Sequence, residues 1–247
     1  MNDKVNIEYQ KNRNYSGNVL KEYFKRYLID IRKLKESSVR HYLDALNNIS
    51  HRLKYKDLVK FDIYEINNLQ RLLDVREILF SDQDFIELDK RGNRMYSSGI
   101  NNYCKFASGI EFQENKENIF VLDIPIAIKK TKGDAWERSE IIRIQAIELA
   151  GYKCEMNKKH ISFIAEQSKK QYMEGHHVIP IHFQSRFDNS LDIYANIICM
   201  CPICHRKIHY GLKEDRQIMM NQIYYQRANR LSNCGIKLSK LEFMELV

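Results

Sequence analysis

Hydrophobic residues over positions 18–107 recur at helical spacing and predict five helices. Leu20, Phe24 and Ile31 mark the buried face of the first helix. The second helix is expected to be capped by Ser37 or Ser38. The predicted helices cover residues 18–33, 37–53, 66–79, 83–88 and 97–107, with a turn at Gly92 and Asn93 before the last. The pattern therefore predicts an all-α region over residues 1–107.

The pattern changes over residues 108–133, where an apolar run from 119 to 128 lies between charged segments. Pro125 within that run argues against a central strand and favours an extended or edge segment. We interpret residues 108–133 as the connection to a second region. Its apolar run is expected to pack against one of the two regions.

Residues 134–247 mix helical and extended patterns. Asp134 and Glu137 have the spacing of a capping box, and the helix behind them should end at Gly151. Trp136 is expected to anchor the core or a domain interface. Residues 161–165 and 171–180 are predicted to pair as a hairpin. Residues 212–231, and a short segment capped at Ser239, are predicted to be helical.

Composition places the chain among folded, water-soluble proteins, with 44% hydrophobic and 29% charged residues in 247. The sequence has no apolar run long enough to span a membrane and no secretory pattern, so a cytoplasmic location without membrane contact is expected. A net charge of +8 favours a polyanionic partner such as DNA. The six cysteines are irregularly spaced, which favours metal ligation over a disulfide framework.

Four histidines between residues 176 and 209 have spacings that suit a metal site. His205 and His209 are four residues apart, so in a helix both imidazoles lie on one face. His176 and His177 lie in a short extended run, where neighbouring side chains point to opposite sides. We therefore expect His176, His205 and His209 to hold a divalent cation, and His177 to stay free as a general base.

The order of these residues resembles the HNH, or ββα-metal, nucleases, and in particular the zinc-ribbon HNH domains of restriction enzymes. The resemblance implies an α+β protein, with the helical bundle at 1–107 ahead of an HNH domain at 134–247. It implies His177 as the base, and Asn196 as the residue that braces the hairpin and orients that base. The implied reaction is hydrolysis of DNA phosphodiesters, leaving 5′-phosphate and 3′-hydroxyl ends.

Many HNH nucleases carry Asp-His where this chain has His176-His177. An all-imidazole set of ligands favours Zn²⁺, Ni²⁺ or Mn²⁺ over Mg²⁺, which prefers oxygen donors. Glu174 should share a strand face with His176 and is expected to accept a hydrogen bond from a ligand imidazole. DNA phosphates are expected to meet His182, Arg186, Arg206 and Lys207.

A second, structural metal is expected at the Cys201-x-x-Cys204 knuckle, because a tetrahedral zinc shell needs two further donors. Zinc-ribbon HNH domains place another Cys-x-x-Cys near Cys154, but here Asn157 replaces its second cysteine. The nearest competent donor is His160, so the predicted Zn²⁺ ligands are Cys154, His160, Cys201 and Cys204. The remaining cysteines are expected in the core, namely Cys104, Cys199 and Cys234.

The helical region also resembles, faintly, the DNA-gripping N-terminal domain of tyrosine recombinases. Alternatively, it forms a bundle that dimerises or reads a modified base. A phosphate-binding role and an ordinary solvated face are both open for its basic residues Arg40, His41, His51, Arg52, Lys54 and Lys56.

The leading functional hypothesis is a nuclease of restriction or phage defence. A homodimer would supply two active sites for double-strand cleavage. Two alternatives remain: a non-catalytic zinc-ribbon module that binds DNA, and a mobile-element or homing nuclease. The first would not need the four histidines together, whereas the second keeps the same chemistry.

Overall fold

The computed structural model describes residues 18–112, 122–128 and 138–246. Its N-terminal part is helical, as predicted, with bounds close to those expected from the sequence. The helices are α1 (Val19–Arg26, continued by a π-helical turn over Tyr27–Ile31), α2 (Glu36–Tyr55), α3 (Leu69–Ser81), α4 (Gln83–Arg91) and α5 (Met95–Ser108).

Two predicted helix starts are wrong, and local capping explains both. Helix α2 follows the extended Lys35, so Ser37 and Ser38 already lie inside its first turn and do not cap it. Helix α3 begins after Asn68, whose side chain accepts a hydrogen bond from the backbone N–H of Arg71 at 2.8 Å. The residues before Asn68 instead form a short 3₁₀ turn over Ile63–Glu65.

The helical region is held together by close helix packing and by aromatic side chains. A Cβ atom at Gly99 of α5 would lie 2.9 Å from the Cβ of Ala45 in α2, so the glycine permits the two backbones to approach closely. Phe24 packs edge-on against Tyr103 at 5.2 Å between ring centroids, and lies 5.4 Å from Phe106. These rings bury large apolar areas and fix α1 against α5.

The C-terminal part contains a two-stranded sheet enclosed by helices. Strand β1 (Glu174–His177) pairs antiparallel with β2 (Ile197–Met200), and Glu174 lies opposite Met200. Helix α6 (Glu140–Leu149) precedes the sheet, and α7 (Pro202–Tyr210), α8 (Lys213–Asn233) and α9 (Lys240–Glu245) follow it. The α+β class with a ββα unit after a helical region is therefore confirmed.

Other local predictions have mixed outcomes. Gly151 adopts a left-handed conformation with φ of 63° at the end of α6, as expected. The side chain of Ser139 caps the start of α6. The capping box proposed at Asp134 and Glu137, and the anchor role of Trp136, lie outside the described residues.

The segment 122–128 packs on the C-terminal region as an irregular extended strip. It forms a single bridge between Ala127 and Asn189, and its Ile124 and Ile126 are buried. Arg230 of α8 donates two hydrogen bonds to the carboxylate of Asp123, at 2.6 and 2.9 Å. This buried ion pair ties the strip to α8.

The N-terminal helices and the sheet region share one apolar core. Tyr23 of α1 stacks on Tyr194, a residue that lies just before β2, with ring centroids 4.2 Å apart. The hydroxyl of Tyr23 accepts a hydrogen bond from the backbone N–H of Tyr194. The Tyr194 hydroxyl donates to Gln145, whose amide donates to the carbonyl of Phe106. The division into residues 1–107, 108–133 and 134–247 stays a proposal. Among the described residues, no helix has the length and apolarity needed to cross a bilayer.

Candidate metal centres

Three of the predicted histidines converge on one point. His176 extends from β1, while His205 and His209 lie one turn apart on α7. One nitrogen from each imidazole lies within 4.8 Å of the others. The Nε2 atoms of His205 and His209 are 3.2 Å apart. This arrangement gives three nitrogen donors for one cation and leaves the solvent side open.

The environment favours the neutral form of two of these imidazoles, those of His176 and His209, and metal ligation requires that form. Burial, followed by the neighbouring imidazoles, lowers the pKa of His176 to about 3. Burial and His205 also lower the pKa of His209. The Glu174 carboxylate lies 2.6 Å from Nδ1 of His205, so it holds the ring proton there and directs Nε2 towards the cluster.

His177 points away from the triad, as strand alternation predicts, and is 9% exposed. Its Nε2 lies 2.8 Å from Oδ1 of Asp192. The second oxygen of Asp192 accepts from the backbone N–H of Ser139 at 2.7 Å, which fixes the carboxylate in place. A carboxylate acceptor places the ring proton on Nε2. Nδ1, which has no hydrogen-bond partner among the described residues, is therefore left as the basic nitrogen.

Asn196 is buried, and its side chain forms no hydrogen bond with His177. Its side chain accepts from the N–H of Ile179 and donates to the carbonyls of Ile179 and Leu191, at 2.8, 2.9 and 2.8 Å respectively. The predicted bracing of the hairpin agrees with these bonds. The residue that bonds directly to His177 is Asp192, which follows Leu191 and which was not predicted from the sequence. Asn196 thus holds the loop that carries the partner of His177.

The four predicted zinc ligands also lie together. Donor atoms of Cys154, His160, Cys201 and Cys204 lie within 4.8 Å of one another. The Nδ1 of His160 is 3.3 Å from the sulfur of Cys204 and 3.6 Å from that of Cys201. Burial alone would raise the pKa of Cys154, but hydrogen bonds from the backbone of Cys201 and Asn157 and from His160 lower it to about 7. Three thiols and one imidazole fit a tetrahedral Zn²⁺ shell.

Glu155 fastens this cluster to the sheet. Its backbone N–H donates to the carbonyl of Cys199 at 2.8 Å, and its carboxylate accepts from the Cys199 N–H at 2.7 Å. Arg227 of α8 donates to both carboxylate oxygens of Glu155, at 2.7 and 2.8 Å. Cys199 is fully buried in this clamp. This position agrees with the core role proposed for Cys199. Cys104 and Cys234 are buried as well, in agreement with the same proposal for them.

The four residues predicted to contact DNA are all exposed and lie on the surface around the histidine triad or the hairpin loop. Lys207 forms an ion pair with Asp215 at 2.9 Å, so its charge is partly neutralised. The guanidinium of Arg186 lies 5.4 Å from the ring centroid of Phe183. His182 also lies against Phe183, while Arg206 is exposed on α7.

A cleft of about 410 Å³ opens beside His176 and His209. Lys213 and Arg216 of α8 line it, above an apolar floor that includes Met220. Neither cation was predicted from the sequence, because helical periodicity alone does not indicate which polar face of α8 borders the metal centre. Two exposed positive charges beside the triad suit a phosphodiester backbone.

In the helical region, two of the basic residues proposed to bind phosphate already have an acidic partner. Arg52 and Lys56 pair with Asp82 at 3.5 and 2.9 Å. Arg40, His41, His51 and Lys54 are exposed.

Comparison with known proteins agrees with this geometry. Residues 156–211 match the family model of HNH endonucleases. The chain is also similar to the Type IV methyl-directed restriction enzyme EcoKMcrA of Escherichia coli K12, with 25% identity over 107 residues. The match covers 43% of this chain and 35% of that enzyme, so the chain spans about a third of its relative's length. The segment that matches the HNH endonuclease model, residues 156–211, therefore contains all three histidines of the triad and three of the four residues of the Cys/His cluster.

Proposed function

We propose that this protein is a DNA endonuclease that hydrolyses phosphodiester bonds with one divalent cation at His176, His205 and His209. The observation that carries the proposal is the position of His177. His177 is next in the chain to His176 of the triad, yet its imidazole is hydrogen-bonded to the carboxylate of Asp192 and is not part of the triad. A purely structural metal site would need neither the open triad nor a carboxylate-backed imidazole beside it.

In the proposed reaction, Nδ1 of His177 accepts a proton from the attacking water. Asp192 keeps the Nε2 proton in place and stabilises the imidazolium that forms. A new bond forms between the water oxygen and phosphorus, and the bond from phosphorus to the 3′ oxygen breaks. The products are a 5′-phosphate and a 3′ oxygen that is protonated from solvent. A bound cation would supply positive charge to the phosphate and to the leaving oxygen.

The residues of the triad suit Zn²⁺, Ni²⁺ or Mn²⁺ better than Mg²⁺, because all three donors are imidazole nitrogens. Glu174 holds the tautomer of His205 that presents Nε2 to the ion. We assign Zn²⁺ to the second cluster, at Cys154, His160, Cys201 and Cys204, where it would stabilise the fold without taking part in the reaction.

DNA binding is assigned to the cations around the triad. Lys213 and Arg216 line the cleft beside His209, where they would hold the backbone next to the scissile phosphate. The exposed Arg206, Arg186 and His182 would contact phosphates farther away. Lys207 would contact a phosphate only after its ion pair with Asp215 is broken.

A role in restriction is supported by the similarity to a methyl-directed restriction enzyme. We therefore propose that the substrate is foreign DNA, recognised by modified bases. A homodimer would supply the second active site needed for double-strand cleavage. A homing nuclease would keep the same residues and chemistry. A non-catalytic zinc module is disfavoured, because it gives no reason for three imidazoles to converge at a second site.

The test uses purified, zinc-loaded protein and plasmids that are methylated, hydroxymethylated or unmodified. Cleavage is measured after addition of Mn²⁺, Ni²⁺, Zn²⁺ or Mg²⁺. His177→Ala should lose cleavage by about 100-fold or more while keeping its fold and zinc content, since general-base catalysis contributes about 10²–10⁴-fold. Tyr55→Ala is the control, at a ring 90% exposed at the end of α2. Cleavage by His177→Ala at the wild-type rate would refute the assignment.

A further inference from the structure

A small hairpin before β1 exposes an unusual group of apolar side chains. Residues 158–172 turn back on themselves through hydrogen bonds from Ala165 to the Lys170 carbonyl and from Tyr172 to the Phe163 carbonyl, both 2.8 Å. On this hairpin Ile161, Phe163 and Ile164 are 83%, 63% and 61% exposed. Large apolar side chains clustered on the surface commonly mark a binding site.

Two of its aromatic rings form a preformed platform. Phe163 stacks on Tyr172 with ring centroids 4.8 Å apart and planes inclined by only 12°. Stacking across the strand pair holds the exposed ring of Phe163 in one orientation. A partner would thus meet an ordered apolar surface and lose little conformational entropy on binding.

The hairpin is strongly basic as well as apolar. Between residues 158 and 172 the sequence has four lysines and one glutamate. All four lysines are exposed, and none forms an ion pair with a described residue: Lys158, Lys159, Lys169 and Lys170. An apolar arm flanked by unpaired cations is complementary to a polyanion that also offers apolar surface. DNA, with its charged backbone and its sugar and base edges, has both properties.

The hairpin also lies next to the histidine triad. The Tyr172 hydroxyl donates to Glu174 at 3.2 Å, and Glu174 in turn bonds to His205 at 2.6 Å. Two hydrogen bonds therefore connect Tyr172 of the platform, through Glu174, to the proposed metal ligand His205. It lies on the His205 side of the triad, whereas the cleft with Lys213 and Arg216 borders His176 and His209. A duplex that lies across all three histidines would meet both surfaces.

We propose that the 158–172 hairpin is a second DNA-contacting element, with Ile161 and Phe163 pressed into a groove of duplex DNA and the lysines on the flanking phosphates. The inference rests on the proposed function, because it takes the substrate to be DNA bound at the triad. It adds a surface outside the metal centre that grips the duplex on one side of the cut. Such apolar wedges commonly distort the base step that they contact.

The test measures binding of a fluorescent random-sequence duplex by anisotropy over a range of salt concentrations, in a His177→Ala background that leaves the DNA intact. Phe163→Ala should weaken binding about 10-fold with little change in salt dependence, since base and sugar contacts release no counterions. Lys169→Gln with Lys170→Gln should reduce the slope of log K against log salt by roughly 0.9 for each phosphate that the lysines no longer neutralise. Phe61→Ala is the matched control, at a ring 76% exposed in the helical region.

Phe163→Ala removes the stacking partner of Tyr172, so Ile161→Ala serves as a second variant that leaves the platform intact. It should weaken binding several-fold with unchanged zinc content and thermal stability. Equal affinities for Phe163→Ala, Ile161→Ala and the Phe61→Ala control would overturn the proposal. A second result would also overturn it: wild-type protein is a dimer in ultracentrifugation, whereas the Phe163→Ala variant is a monomer with unchanged DNA affinity. The hairpin would then contact a second copy of the chain and not DNA.

The outcome is separable from that of the proposed function. If wild-type protein binds DNA through the hairpin but no metal supports cleavage, the nuclease proposal fails and the hairpin assignment stands. If wild-type protein cleaves DNA and the hairpin variants bind as wild type, the hairpin assignment alone fails.

Discussion

Replacing Asn196 with alanine tests the loop that holds Asp192. Asn196 is fully buried, and its amide makes three hydrogen bonds to the backbone of Ile179 and Leu191. Each such bond contributes about 1 kcal/mol, and alanine leaves the three backbone groups without that partner. We therefore expect a loss of about 3 kcal/mol in the free energy of unfolding, or roughly 6–12 °C in Tm for a chain of this size.

Calorimetry of the zinc-saturated protein measures this loss. The control is Asn221→Ala, because the side chain of Asn221 bonds only to a carbonyl one turn back on the exposed face of α8. That change should alter stability by less than about 0.5 kcal/mol. An Asn196→Ala protein as stable as the control would refute the reasoning.

A second substitution, Asn196→Asp, separates hydrogen bonding from the loss of volume. The carboxylate can still accept from the N–H of Ile179, but it loses both donations. It would then face the carbonyl oxygens of Ile179 and Leu191, and a buried negative charge against acceptors is costly. Asn196→Asp should therefore be at least as destabilised as the alanine variant at neutral pH. Both variants should cleave DNA more slowly even at temperatures where they remain folded.

Three further changes test other parts of the structure. Asp192→Asn should reduce plasmid cleavage roughly 100-fold without unfolding the protein. The amide can donate to Nε2 of His177, which moves the ring proton to Nδ1, the nitrogen that must accept a proton from water. Cys201→Ser should lose one equivalent of zinc by atomic absorption and much of the thermal stability, because the metal stabilises only the folded state. Arg230→Met should cost about 3–5 kcal/mol in denaturant unfolding, because it leaves the carboxylate of Asp123, 1% exposed, buried and unpaired.

The helices, and the grouping of the proposed metal ligands, were predictable because both depend on short spacings. The spacing of four from His205 to His209 places both on one face of α7, whatever the rest of the fold does. The alternation of His176 and His177 likewise follows from strand geometry. His160 was the nearest competent donor for the cysteine cluster, so its predicted place there followed from chemistry rather than from a repeated spacing.

The partners of these residues were not predictable in the same way. Asp192 lies fifteen residues after His177, in an irregular loop, and no periodicity connects the two. The cations of the cleft depend on how α8 packs beside α7, which is a tertiary property. The helix start at Leu69 was missed because the Asn68 cap competes with the apolar pattern that begins at Ile66.

The helical region supports the proposed base without touching it. Asp192 is anchored by the backbone N–H of Ser139, the N-cap of α6. The same end of α6 is held by the helical region, since the Ile141 N–H donates to the carbonyl of Asn67. Through α6, the orientation of the His177 partner therefore depends on residues outside the HNH match at 156–211. The N-cap of α6 thus orients Asp192, and Asp192 in turn orients the imidazole of His177.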